Sequence, residues 1–300
     1  MRAVVTGGAG FIGSHVVDAL LGRGDEVHVV DNLATGRREN LSPHASLHEH
    51  DIREPLDALF DELRPEAVVH LAAQADVGRS VEQPLFDAEV NVLGTLNVLE
   101  AARRHEAQVV FSSTGGAIYG ECERPAREDD PRRPLSPYGT AKLAAEEYLA
   151  TWNRLYGTSH VALRFANVYG PRQLAKLEGG VVAIFIDRLR AGEGVTIFGD
   201  GLQTRDFVYV GDVVEAVVAA IGRDGGTFNV GTGEETSVNE VFEACRRVAG
   251  SDTEAQHAAP RAGDVLRSVL DVSHAGRELG WRPRSSLAEG LRATWESAAS

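Results

Sequence analysis

Tyr138 and Lys142 stand four residues apart in Pro137-Tyr138-Gly139-Thr140-Ala141-Lys142. Of the 30 Lys+Arg only Lys142 and Lys176 are lysines, and composition alone places a lysine four after a tyrosine in about 4% of shuffled chains. Arginine fills nearly every other basic position, so this lysine is read as doing something arginine cannot. On a helix, residues four apart share a face. An ammonium beside a phenol favours the phenolate and lowers its pKa from about 10. The pair therefore predicts a tyrosine prepared to act as a base near neutral pH.

A base needs a reacting partner, and two further segments supply candidates. Thr6-Gly7-Gly8-Ala9-Gly10-Phe11-Ile12-Gly13 follows a short β-branched run and opens a helical pattern. Gly7, Gly10 and Gly13 let the backbone turn tightly against a pyrophosphate seated on a helix N-terminus. Asp31 ends the second predicted strand, eighteen residues after Gly13, where a carboxylate accepts hydrogen bonds from an adenosine ribose. It repels a 2′-phosphate, which favours NAD; Arg37 and Arg38 follow and keep NADP open. Phe111-Ser112-Ser113-Thr114 ends another strand, and a hydroxyl there can relay a proton to Tyr138.

The elements that must position these residues are legible in outline. Ala3–Val5, Glu26–Val30, Ala67–Leu71, Gln108–Ser112 and His160–Phe165 read as buried strands. His15–Leu21, Pro84–Arg104 and Tyr138–Tyr156 carry helical periodicity. This alternation predicts an α/β fold: a Rossmann-type doubly wound parallel sheet with a smaller mixed α/β C-terminal region. The expected division is 1–165 plus about 200–227 for the dinucleotide domain, and about 166–199 and 228–300 for the substrate domain. Arg205 after the Gly199-Asp200-Gly201 turn, and Arg261 with Asp264, offer cations for a diphosphate and a carboxylate for a sugar hydroxyl. His70 ends a strand and reads as a satisfied structural histidine.

Composition narrows the class. A formal net charge of −14 argues against nucleic-acid or anionic-membrane partners. Cys122 and Cys245 are isolated, without metal-ligand or disulfide patterning. No Gly-x-Ser-x-Gly elbow suggests a covalent nucleophile. The start of the chain shows no signal-peptide pattern and no apolar run of ~18 residues occurs, so a cytoplasmic enzyme is expected.

Taken together, these segments resemble the extended short-chain dehydrogenase/reductase family, and within it the UDP-glucose 4-epimerases. The resemblance runs from Met1 to about Trp281. It is carried by TGGAGFIGSH from Thr6, DNLATG from Asp31, HLAAQADV from His70, NVLGTLNVLEAA from Asn91, SSTGGAIYG from Ser112 and SPYGTAK from Ser136. RFANVYGPRQ from Arg164, GDGLQTRDFVYVGDVV from Gly199, FNVGTG from Phe228 and RAGDVLRS from Arg261 complete it. It implies bound NAD, a UDP-sugar substrate, 4-epimerisation by transient oxidation, a homodimer and a place in galactose metabolism. Tyr138 is then the base at the sugar O4, with Lys142 behind it and Thr114 or Ser113 as hydroxyl partner. The implied NAD residues are Gly7, Gly10, Phe11, Ile12, Gly13, Asp31, Asn32, Leu33, Thr35, Gly36, Asp51 and Ile52. To these are added Leu71, Ala72, Ala73, Asn91, Ser112, Tyr138, Lys142 and Phe165. Val77, Thr114, Asn167, Phe198, Arg205, Arg261, Asp264 and Ser268 are implied for the substrate. The dimer is expected to pair through Asn91–Arg104 and Tyr138–Tyr156.

Two departures from the pattern bear on specificity. Gly115-Gly116 lengthens the turn after Thr114 and stands where related 4,6-dehydratases carry an acid pair, which disfavours elimination. Ser268 takes the place of a bulky tyrosine beside C2 of the sugar in some relatives, so N-acetylated sugars are expected to fit. A uronate epimerase, a decarboxylase and a non-enzymatic NAD-binding scaffold are the remaining readings.

Overall fold

In the computed structural model, residues 1–175, 180–260 and 265–297 are described. Six strands alternate with helices: β1 Arg2–Thr6, β2 Glu26–Asp31, β3 Ser46–Glu49, β4 Ala67–His70, β5 Gln108–Thr114 and β6 Val161–Phe165. They pair in parallel in the order β3-β2-β1-β4-β5-β6, and strand Gly226–Val230 adds beyond β6 as a seventh. The order reverses between β1 and β4, which opens a crevice at the carboxyl ends of these strands. Val4, Val5, Val68, Val69, Val109 and Val110 are almost fully buried, as strands covered on both faces must be. Helices Phe11–Gly22 and Val210–Ala220 cover one face, and helices Asp57–Leu63, Gly94–Arg103 and Pro137–Tyr156 the other.

The second region packs helices Val181–Ala191, Val238–Ala249 and Leu287–Ser297 around Phe185, Ile197, Val241, Phe242 and Leu291. Two-residue strands Thr236–Ser237, Thr204–Arg205 and Arg267–Ser268 form a small mixed sheet at its edge. Strand Gly226–Val230, which spans the boundary expected near 228, pairs with β6 in the large sheet. Among the described residues no helix is long and apolar enough to cross a membrane.

The helix that carries the tyrosine and lysine starts where its sequence dictates. Ser136 is the N-cap, its hydroxyl accepting from the Gly139 amide at 3.2 Å, and Pro137 opens the first turn. Gly157 ends it in the left-handed conformation, φ 66°. The single helix expected over Pro84–Arg104 is three pieces instead: Pro84–Ala88, a π turn Glu89–Leu93, and Gly94–Arg103. The widened turn brings Asn91 against the backbone of Gln74, accepting from its amide at 3.0 Å and donating to its carbonyl at 2.9 Å.

Candidate active site

The glycine loop is shaped by close approach. Gly7 has φ +68°, and a Cβ there would stand 2.6 Å from the Ala72 amide nitrogen. A Cβ on Gly13 would stand 2.1 Å from the Gly7 carbonyl oxygen. Only glycine allows the first turn of helix Phe11–Gly22 to lie this close to β1 and β4. Asp31, at the end of β2, is buried; its Oδ2 accepts from the Ala9 amide at 3.0 Å and its Oδ1 from the Leu33 amide at 2.8 Å. Burial raises its carboxyl while these two amides oppose the rise. Gly36 closes the same turn, since a Cβ there would meet Asp31 Oδ2 at 2.9 Å. Arg37 and Arg38 lie on the exposed side and pair with Glu39 and Glu49.

Along the crevice runs a cavity of about 430 Å³. Gly7, Gly10, Phe11, Ile12, Gly13, Asp31, Asn32, Thr35, Asp51 and Ile52 line one end. Leu71, Ala72, Ala73, Ser112, Ser113, Thr114, Tyr138, Lys142 and Phe165 line the other. Leu33, Gly36 and Asn91 do not line the cavity; Leu33 bonds Asp31 through its amide and Asn91 bonds the Gln74 backbone. Arg53, Gln74, Arg79 and Phe86 also line it, unanticipated from sequence. Arg53 holds the Asp51 carboxyl well below the usual carboxylate range through hydrogen bonds at 2.8 and 3.0 Å. Its signal was only adjacency to the Asp51-Ile52 pair.

At the far end of the cavity the groups expected to react converge. Lys142 is buried and donates to the Ser112 carbonyl at 2.9 Å. The Thr114 side chain lies close to the Tyr138 phenol and favours its ionised form. Thr114 also N-caps the short helix Gly115–Ile118, accepting from the Ala117 amide at 3.2 Å. The Ser113 hydroxyl is engaged elsewhere, donating to Glu146 Oε1 at 2.5 Å. Glu146 lies one helical turn beyond Lys142 and pairs with the fully buried Arg164 at 2.7 Å.

The electrostatics correct one expectation. Burial pushes the Tyr138 phenol well above its ordinary value, the Asp87 carboxylate pushes it further, and the Thr114 side chain only partly opposes. Lys142 Nζ stands 6.0 Å from the tyrosine ring centroid, and burial pushes its own ammonium down to about 8 against Asp87 and Glu146. In the protein alone, desolvation outweighs the ammonium, and the lysine does not by itself produce a phenolate. His70 is the structural residue expected, its ring held between Thr6 at 2.6 Å and Thr95 at 3.0 Å.

Residues 3–231 match the NAD dependent epimerase/dehydratase family. The chain belongs to that family. A UDP-glucose 4-epimerase of Mycolicibacterium smegmatis is 47% identical over 308 residues, covering 99% of this chain and 98% of that protein. The structure of a Thermotoga maritima UDP-glucose 4-epimerase with UDP-glucose superposes with a TM-score of 0.98 at 48% identity, over 100% of this chain and 99% of the other. A Thermus thermophilus UDP-glucose 4-epimerase complex with NAD gives 0.95 at 49%, over 99% and 98%.

Of the residues expected to hold the substrate, Thr114 lines the cavity. Phe198, Val77 and Asn167 are exposed, while Ser268 is buried beside Arg205 across the Thr204–Arg205 and Arg267–Ser268 strands. None of these five lines the cavity. Arg261 and Asp264 lie outside the described residues. A Cβ on Gly115 would meet Leu270 Cδ1 at 2.5 Å, so a side chain there requires Leu270 to shift.

Proposed function

We propose that this isomerase interconverts the C4 epimers of a UDP-hexose, UDP-glucose and UDP-galactose first, by transient oxidation at C4. The observation that carries the proposal is the convergence of Thr114, Tyr138 and Lys142 at one end of a cavity whose other end is a dinucleotide cradle. The cradle fits NAD: Gly7 and Gly13 leave room where a Cβ would collide, and Asp31 stands where an adenosine ribose hydroxyl would be held. When bound, NAD accepts hydride from C4, returns it, and brings positive charge beside the phenol.

Tyr138 takes the O4 proton and later returns it. Thr114, close to the phenol, is assigned to orient that proton, and Lys142 is anchored to the Ser112 carbonyl. The cavity wall of Leu71, Ala72 and Phe165 keeps water from this end, which strengthens each charge interaction. The 4-keto sugar turns over in the pocket, held by its UDP group, for which Arg205, Asn167, Phe198, Arg261 and Asp264 are assigned. Ser268, small and opposite Arg205 in the sheet, is assigned the place beside C2, where its size would admit an N-acetyl group. Gly115 and Gly116 supply no acid or base, which favours epimerisation over water elimination.

Incubating the protein separately with UDP-glucose, UDP-N-acetylglucosamine and UDP-glucuronate and following products by NMR tests the proposal. UDP-galactose should appear from UDP-glucose. Turnover of the glucuronate alone, or a 4-keto-6-deoxy product, would contradict it. The chain is assigned as a homodimer through the segments Asn91–Arg104 and Tyr138–Tyr156, where Leu93, Leu155 and Tyr156 are 56%, 66% and 50% exposed. These three large apolar side chains gain by burial in a partner. A solution mass of twice the 32.2 kDa chain is expected by light scattering.

A further inference from the structure

Asp87 has no role in the chemistry above, yet it is a carboxylate 1% exposed on the short helix Pro84–Ala88, which packs against the helix of Tyr138 and Lys142. Its Oδ1 accepts from Gln74 Nε2 at 2.9 Å and from Asn91 Nδ2 at 2.9 Å. Its Oδ2 is buried without a hydrogen-bond partner. Burial raises its carboxyl above the ordinary value, and the Gln74 and Asn91 bonds and the Lys142 charge oppose that rise; a buried charge is costly unless another charge answers it. The charged groups around it sort clearly. Glu146 is spent on Arg164, and His70 is neutral, pushed down to about 3 by burial. Lys142 is the buried cation left over, with only a carbonyl as hydrogen-bond partner. We propose that Asp87 is the counter-charge of Lys142 and a positioning residue for the Tyr138–Lys142 pair, holding the lysine charged and the phenol protonated until substrate and cofactor are in place.

This inference rests on the assignment of Tyr138 and Lys142 made above. Its field acts on both groups with one sign, opposing loss of either proton. Deleting the charge should therefore move both ionisations to lower pH together. A merely structural residue would lower turnover without moving the profile.

The test is the pH dependence of kcat and kcat/KM for Asp87→Asn in the NAD-loaded enzyme, with Asp87→Glu as the charge-restoring variant. Both limbs of the Asp87→Asn profile should move acidward, on the order of 1 pH unit for one close charge, and Asp87→Glu should bring them back. Because the chain has two lysines, ¹³Cε-lysine NMR reads Lys142 directly, and its midpoint should fall in the same variant. An unmoved profile with an unmoved lysine signal overturns the inference. Wild-type protein carries the test even where the variants do not fold: the ¹³Cγ signal of Asp87 should be that of an ionised carboxylate at pH 7, and a protonated one overturns it. Tyr138→Phe run in parallel separates the two layers. If it keeps turnover, the assignment of the reacting pair fails; if it is inactive while Asp87→Asn leaves the profile unmoved, only the counter-charge fails.

Discussion

Glu146→Gln puts the largest weight on one buried contact. Glu146 accepts from Arg164 Nη2 at 2.7 Å and Nε at 2.9 Å, and from the Ser113 hydroxyl. Arg164 is 1% exposed, and its remaining Nη1 bonds go to Tyr119 Oη at 2.6 Å and the Glu128 carbonyl at 3.0 Å. The amide keeps one acceptor but turns N–H groups toward a guanidinium that has none to give back. Removing one partner of a buried pair costs about 3–5 kcal/mol. With two Arg164 bonds and one acceptor retained, the lower end applies, about 3 kcal/mol. At ~2–4 °C per kcal/mol for chains of this size, the melting temperature should fall by about 6–12 °C. The same network ties β5 to the helix of Tyr138, so kcat at 20 °C should fall as well, while NAD content stays near wild type. Differential scanning calorimetry and steady-state kinetics on the same preparation read both. A melting temperature within about 2 °C of wild type would refute the claim that this pair bears on stability at ~3 kcal/mol.

Three other outcomes follow from separate parts of the structure. Gly13→Ala places a methyl 2.1 Å from the Gly7 carbonyl, so the loop must move and NAD affinity should fall by at least ~10-fold, read by fluorescence titration. Ser268→Tyr should suppress turnover of UDP-N-acetylglucosamine far more than that of UDP-glucose, measured as a ratio of kcat/KM. His70 and His160 are buried neutral, pushed down to about 3 and about 4 by burial. Below the ordinary pKa of about 6.5 the unfolded chain binds protons that the native fold refuses, so stability should drop as pH falls from 6.5 toward 4. The slope contributed by each histidine is at most about 1.4 kcal/mol per pH unit, and His160→Gln should flatten it in urea melts at pH 4–7.

What the sequence made legible follows the strength of each local signal. The glycine loop, Asp31 and the Tyr138–Lys142 spacing are short-range patterns fixed by backbone geometry, and they place one wall of the cavity. β3, Ser46–Glu49, was not anticipated, because an edge strand of Ser-Leu-His-Glu carries neither β-branching nor clean alternation. The π turn at Glu89–Leu93 was read as continuous helix, since periodicity does not reveal one extra residue per turn. Asp87 and Phe86 were missed for a related reason: their contacts come from segments packed together, not from a motif. The sign of the Tyr138 shift was also beyond the sequence. Spacing puts an ammonium within reach of the phenol, but only the packed structure shows that desolvation and Asp87 act against it.

The account depends on Tyr138 being the group that exchanges the O4 proton, and Tyr138→Phe measures that most directly. UDP-glucose epimerisation should be followed by NMR with NAD content determined on the same sample. The predicted result is NAD bound at the wild-type level with turnover reduced by at least ~10³-fold, a loss of roughly 4 kcal/mol of transition-state stabilisation. Turnover within about tenfold of wild type, with NAD still bound, would contradict it.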